Sequence, residues 1–217
     1  MLSPNQEEII RYLKEKVING YMLGDLKRMV DIPVISNQTG NCNFPITLYI
    51  FSCIEFLGTL VAEAPTPDGY GATQDRFWAY VELTFGNNLQ TFQQHRNNFI
   101  QIFRHGLTHE FFAKNAGISR QHTDVFSTSE GGKLVLDADR FYDIFKESCE
   151  TLKSLLDTSD QLKERVADRY LELQQRNQNR WGSTTSPTAR ASGASISRPF
   201  TPDQALATPS LPPNEEV

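Results

Sequence analysis

The chain has 217 residues, which is enough for one domain with a sizeable core but too few for two domains and a linker. Hydrophobic residues make up 39% of the sequence, as in ordinary soluble proteins. The formal net charge is −5, so the chain as a whole lacks the positive field that would draw it to nucleic acid. Any RNA-binding role must therefore depend on a local surface.

Cysteine usage and the apolar segments indicate a cytoplasmic protein. Cys42, Cys53 and Cys149 are odd in number and lack CxxC spacing, a pattern typical of reduced thiols rather than of a disulfide framework. The first residues resemble no secretory signal. The one long apolar run, residues 45–62, carries Glu55 near its middle, which favours a buried helix over a membrane span.

The predicted elements begin with a helix whose start is well marked. Ser3 is placed to cap it, Pro4 suits its first turn, and Gln6 stands three residues after the cap. Apolar residues at helical spacing continue to about residue 20. Residues 31–44 contain proline, glycine and three asparagines, which predict a long irregular connection. A loop of this length inside a domain is often functional.

Three further helices are predicted in the middle of the chain. The second begins at Pro45 and runs to about residue 63, and a turn region rich in proline and glycine follows it. The third runs from Thr73 to residue 85, with several aromatic residues on its core side. The fourth extends without a break from about Leu89 to Phe112.

The C-terminal third changes character twice. Residues 117–136 predict a β-hairpin around two central glycines. Asp137 is placed to cap a fifth helix, which is expected to break near residues 157–160 before a final polar helix that ends at about residue 178. From residue 179 onward Ser, Thr, Pro, Ala and Gly dominate, and such a segment cannot bury enough surface to offset its ordering entropy.

These elements combine into a mainly α-helical protein. We expect a bundle of about five helices with a small β-hairpin insertion at about 117–136. The helical domain should cover residues 1–178, and residues 179–217 should form a disordered tail.

The most reactive side chains lie in the fourth helix, in the hexapeptide Arg104-His105-Gly106-Leu107-Thr108-His109. It joins a permanently charged guanidinium to two imidazoles, the side chains that exchange protons near neutral pH. The surrounding residues 93–122 have a local charge of +3 and contain all four histidines: Arg96, Arg104, Lys114 and Arg120 against Glu110, with His95, His105, His109 and His122.

Helical geometry determines which of these side chains can meet. In an α-helix, positions 104 and 109 diverge by roughly 140° around the axis, whereas positions 105 and 109 align one turn apart. Arg104 and His109 would then converge only on a ligand at the edge of the helix. Gly106 would let another backbone or a phosphate approach closely.

Two other interpretations of the hexapeptide remain open. In the first, Arg104 makes an ordinary ion pair, the histidines are exposed and Gly106 is a packing contact. In the second, His105 and His109 bind zinc with Glu55 or Asp124 as a third ligand. The zinc-protease motif itself is absent, because Gly106 stands where that motif has glutamate.

Glu55 is the candidate supporting residue. It belongs to a polar stripe, with Ser52 and Thr59, on the apolar second helix. A carboxylate on such a helix needs a partner to stay charged. If the stripe faces the fourth helix, Glu55 would pair with Arg104 or orient His109. The alternative is a stripe that is partly exposed to solvent.

The hexapeptide resembles a known motif. Arg104 and His109 match the Arg-x4-6-His pattern of HEPN domains (higher eukaryotes and prokaryotes nucleotide-binding), and His105 supplies the polar residue directly after the arginine. The wider segment 103–112 looks like the hallmark of a set of uncharacterised bacterial proteins of this architecture. The resemblance covers roughly residues 5–175.

The resemblance implies an activity without a metal or another cofactor. Proteins of this family include metal-independent endoribonucleases that act as toxins or defence effectors, often as homodimers and with an antitoxin or regulatory partner. On this chain, His109 would transfer the proton that lets the RNA 2′-hydroxyl attack its own phosphate. Arg104 would stabilise the phosphorane charge, and His105 would support the site through a hydrogen bond.

Some domains of this type have lost nuclease activity. The alternative function is therefore a non-catalytic helical module that binds RNA or protein. An enzyme should place Arg104 and His109 in an open cleft, whereas in the binding module the motif helix would be a dimer surface.

Overall fold

The computed structural model of the chain describes five stretches of residues: 2–35, 41–63, 72–110, 113–120 and 123–182, with the side chains of 97–98 and 179–182 outside the description. The disordered tail predicted from residue 179 lies almost wholly outside these residues. The last described helix includes 179–182, so the helical part ends slightly later than the expected residue 178.

The N-terminal helix begins where the sequence predicts and ends later. Helix α1 (Pro4–Tyr12) continues into a π-helical stretch, π1 (Leu13–Leu23), and then into α2 (Gly24–Val30). The predicted capping box at Ser3 is present, because the Ser3 Oγ accepts from the Gln6 backbone N–H at 3.3 Å. The predicted end near residue 20 is wrong. Buried residues continue on the core face beyond it, and their burial outweighs the local glycine signal.

Among the remaining helices, the predicted fourth is divided into shorter pieces. Two long helices follow the first connection, α3 (Asn43–Val61) and α4 (Ala72–Thr84). A 3₁₀ turn (Gly86–Asn88) leads into α5 (Leu89–Gln93). The predicted fourth helix is broken after α5, and it resumes as α6 (Arg96–Phe99), which runs into π2 (Ile100–Glu110). The C-terminal helices are α7 (Ala138–Thr158) and α8 (Asp160–Gly182). The mainly α-helical class is confirmed, and the count of about five helices is not.

A small sheet stands where the hairpin was predicted. Strands β2 (Phe126–Thr128) and β3 (Leu134–Asp137) pair antiparallel, which confirms the hairpin. A third strand, β1 (Gly117–Ser119), pairs parallel with β3, so the strand order is β1-β3-β2. The Asp137 side chain accepts from the Arg140 backbone N–H at 3.0 Å, as a cap of α7 should.

Helix α3 lies at the centre of the bundle. It packs against α4, α7, α8 and π2. By length and composition it could cross a membrane, since its most apolar 18-residue segment has a mean hydropathy of 1.7. However, 56% of that segment is buried within the protein. Such a core helix meets the same criteria as a membrane span, so composition alone does not separate the two.

Aromatic rings in the core set the orientation of the motif helix. The ring centroid of Phe51 on α3 lies 5.2 Å from that of Phe99 on α6 and 5.5 Å from that of Phe141 on α7. Phe99 also contacts Phe103 on π2 at 5.4 Å, and both are fully buried. Because Phe103 is fixed in the core, the next residue, Arg104, lies beside α3.

Candidate functional site

Glu55 and Arg104 form a two-point ion pair between α3 and π2. The Arg104 Nε donates to Glu55 Oε1 at 2.6 Å, and the Nη2 donates to Oε2 at 3.1 Å. The Arg104 side chain is 21% exposed and the Glu55 side chain 17%, so the pair is largely shielded from water. Glu55 thus faces the motif helix and pairs with Arg104, as the first of the two arrangements considered from the sequence requires. Bidentate geometry of this kind fixes the plane of the guanidinium.

The other two residues of the polar stripe do not reach π2 in the same way. The Ser52 Oγ donates to the Leu48 carbonyl at 3.0 Å, and the Thr59 Oγ1 donates to the Glu55 carbonyl at 2.9 Å. Both are bonds within α3, which are typical of hydroxyl side chains inside helices. Within the described residues, Glu55 is thus the member of the stripe whose side chain is shown to bind the motif helix.

The motif lies in a π-helix, which changes the geometry expected from an α-helix. A π-helix forms i→i+5 hydrogen bonds, so residues five apart follow one another at about one turn. Arg104 and His109 are five apart within π2, and the predicted divergence of roughly 140° therefore does not apply. Both residues occupy neighbouring positions on π2.

The two motif histidines are stacked. The ring centroids of His105 and His109 lie 5.7 Å apart with an interplanar angle of 15°. Burial lowers the pKa of His105 below its usual 6.5, and the positive charges of Arg104 and His109 lower it further. His105 is half-buried and His109 is exposed, so a ligand can reach His109 from solvent. The lowered pKa of His105 favours its neutral form, in which an imidazole both donates and accepts hydrogen bonds.

Arg104 keeps hydrogen-bonding capacity beyond its ion pair. A guanidinium has five N–H groups, and Glu55 accepts two of them. The other three donate to no residue in the described part of the chain. An oxyanion beside the pair would find donors that are already oriented.

The described residues offer little support for a zinc site at His105 and His109. Across the described ranges, no group of three or more His, Cys, Asp or Glu side chains is placed to hold a metal ion. Glu55, one proposed third ligand, is engaged by Arg104. Asp124, the other, lines a cavity beside α7.

The expected cleft does not coincide with either of the two described cavities. The larger, of about 680 Å³, lies between α7 and the segment that leads into β2. The smaller, of about 270 Å³, lies between α1 and the α7–α8 junction. Neither is lined by Glu55, Arg104, His105 or His109. In a single chain, the candidate site is therefore a surface feature outside both cavities.

The other cations of the basic stretch have separate roles. Arg96 pairs with Glu82 and lies 4.7 Å over the Trp78 ring. Lys114 pairs with Glu110 at 2.9 Å. These two contacts are at the surface, whereas Arg120 is buried. The basic stretch is thus not a single charged face, and only part of it borders the hexapeptide.

Arg120 has a structural role that the local sequence does not signal. Its Nη1 and Nη2 donate to the backbone carbonyls of Val30, Ile32 and Asn41 at 2.6–3.1 Å, and its Nε donates to Asp139 at 2.9 Å. Its partners lie 19 to 90 positions away in sequence. No spacing rule could have identified this cluster.

Comparison with protein-family models, with curated proteins and with solved structures returned no match to this chain, so the interpretation of the site depends on its own residues.

Proposed function

We propose that this protein is a metal-independent endoribonuclease of HEPN type. The observation that carries the proposal is the Glu55–Arg104 ion pair beside the stacked His105 and His109 on π2. An oriented guanidinium and two imidazoles on one helix, with His109 exposed to solvent, support this proposal. Charge stabilisation and proton transfer are the two requirements for RNA cleavage without a metal.

Each residue has a definite role in the proposed reaction. His109 accepts the proton of the RNA 2′-hydroxyl as its oxygen attacks the adjacent phosphorus. The bond from phosphorus to the 5′-oxygen breaks, that oxygen takes up a proton from solvent, His109 returns its own proton to solvent, and a 2′,3′-cyclic phosphate remains. Arg104 stabilises the negative charge of the phosphorane through its remaining N–H groups. Glu55 is a positioning residue for Arg104, and His105 supports His109.

The resemblance to HEPN proteins extends the proposal to the biological setting. A cytoplasmic homodimer that acts as a toxin or defence effector, restrained by an antitoxin or regulatory partner, agrees with a site at the surface of a single chain. A second copy would enclose such a surface.

A second candidate function is a non-catalytic helical module that binds RNA or protein. The observation that favours it is the ion pair itself, because Arg104 is already neutralised by Glu55 and lies outside both described cavities. The two candidates differ in whether RNA is cut.

The test compares the purified full chain with its His109→Ala variant on single-stranded RNA. The wild type should release 2′,3′-cyclic phosphate ends and remain active in a chelator. Loss of a proton-transfer residue should slow cleavage by about 10²- to 10⁴-fold. His95→Gln is the matched control, because His95 packs on Phe126 outside the motif and should leave cleavage unchanged. RNA left intact by the wild type at every pH would overturn the proposal, as would equal cleavage by the His109→Ala variant.

A further inference from the structure

Lys114, which follows π2 in the chain, is hydrogen-bonded back to that helix. The backbone N–H of Lys114 donates to the carbonyl of Ile102 at 2.9 Å, although the two residues are twelve positions apart. Ala113, the residue before it, is buried. This return places Lys114 beside the helix that carries Arg104, rather than further along a continuing helix.

The Lys114 side chain is held at the end of the motif helix. Its Nζ lies 2.9 Å from Glu110 Oε1, and Glu110 is the residue after His109. The two side chains are 43% and 55% exposed, so water screens the pair. Exposed lysine–carboxylate pairs are weak, and a phosphate can therefore replace the carboxylate.

The charge of Lys114 reaches His105. Burial lowers the pKa of His105, and the positive charges of Arg104 and Lys114 lower it further. Arg104 and Lys114 are thus two cations within electrostatic reach of His105. We name these two cations, together with His105 and His109, the basic rim. Arg104 is at its buried side and Lys114 at its exposed side.

We infer that Lys114 binds a second phosphate of a single-stranded RNA, next to the phosphate held at Arg104, and that Glu110 holds the Lys114 ammonium when RNA is absent. The inference rests on the proposed function and names a further substrate-binding residue at its site. A rim with two separate cations suits an oligonucleotide that spans the site, and a single nucleotide would use only one of them. Glu110 then acts as an internal competitor of the substrate.

The salt dependence of RNA binding tests this inference directly. Each phosphate contact on a single strand contributes about 0.7 to the slope of log affinity against log salt. In a His109→Ala background, which prevents cleavage, Lys114→Gln should reduce that slope by about 0.7 for a short oligouridylate. Between about 50 and about 200 mM salt, the unsubstituted background should then lose about 2.5-fold more affinity than the Lys114→Gln variant.

The chain offers a matched control pair away from the site. Lys27 and Asp31 form an exposed ion pair at 2.7 Å with the same i,i+4 spacing as Glu110 and Lys114. Lys27→Gln should leave the slope unchanged. Glu110→Gln should strengthen oligouridylate binding because it removes the competing carboxylate, and Asp31→Asn should have no such effect.

The outcomes separate this inference from the proposed function. Equal slopes for Lys114→Gln and Lys27→Gln would overturn the inference, even if the wild type cuts RNA. A reduced slope for Lys114→Gln alone would support it, even if the wild type leaves RNA intact and the nuclease proposal fails. Absence of oligouridylate binding at low salt would overturn the inference whatever the cleavage assay shows.

Discussion

At the scale of single residues, Glu55 is held by Arg104, the one ion-pair partner that it has among the described residues. The carboxylate lies on the most apolar helix of the bundle, and Arg104 supplies two hydrogen bonds to it. A polar group in such a place is costly without a partner and stable with one. The sequence indicated that Glu55 needs a partner. It could not select between Arg104, His109 and solvent, because that choice depends on how π2 is rotated against α3.

This dependence predicts a large coupling between the two residues. Glu55→Ala should lower the free energy of unfolding by about 1–3 kcal/mol, because it leaves a shielded guanidinium without its acceptor. Arg104→Ala should have a similar effect. The double variant should cost less than the sum of the two, with a coupling of about 0.5–3 kcal/mol. Urea denaturation of the four proteins measures the cycle, and additive losses would contradict the two-point ion pair.

At the scale of elements, α3 and α4 approach each other closely at Gly58. A Cβ built on Gly58 would lie 1.8 Å from the Arg76 carbonyl oxygen, which leaves room only for glycine. This contact fixes the position of α3, and α3 carries Glu55 toward π2. Hydrophobic spacing predicted both helices. The crossing was not predictable, because a glycine inside a helix has the same local pattern whether or not another backbone lies over it.

Gly58→Ala should therefore be strongly destabilising. Because the clash is with backbone rather than with a flexible side chain, we expect a loss of about 3 kcal/mol or more in the free energy of unfolding. The control is Gly24→Ala in α2, where a Cβ would stand 3.5 Å from the Asn19 carbonyl. That substitution should be neutral or stabilising by up to about 1 kcal/mol. Equal denaturation midpoints for the two variants would contradict the close helix packing.

At the scale of the whole molecule, Arg120 joins parts of the chain that are distant in sequence. Its side chain is 3% exposed and connects the end of α2, both described ends of the first long connection, and the start of α7. The sequence grouped Arg120 with the basic stretch on charge alone. Its burial shows that part of that local charge serves folding rather than ligand binding.

Arg120→Lys should retain the positive charge but lose most of the hydrogen bonds that join α2, the first long connection and α7. Lysine lacks the fork that donates in several directions, so most of the four hydrogen bonds cannot be restored. We expect a loss of about 3 kcal/mol in unfolding free energy. Hydrogen exchange should rise at residues 30–35 and 41–42. Arg140→Lys is the control, since its pair with Asp143 is half-exposed and should cost less than about 1 kcal/mol.

The sequence by itself determined the helical class, the cap of the first helix, the hairpin, the cap of α7 and the residues with reactive side chains. These features depend on near neighbours, whose spacing the sequence contains directly. The tertiary structure decided the break before α6, the π-helical form of the motif, the partner of Glu55 and the burial of Arg120. Each of these results from packing between distant segments, where core burial outweighs local propensity. The hexapeptide was therefore visible in the sequence, and its geometry was set by the bundle around it.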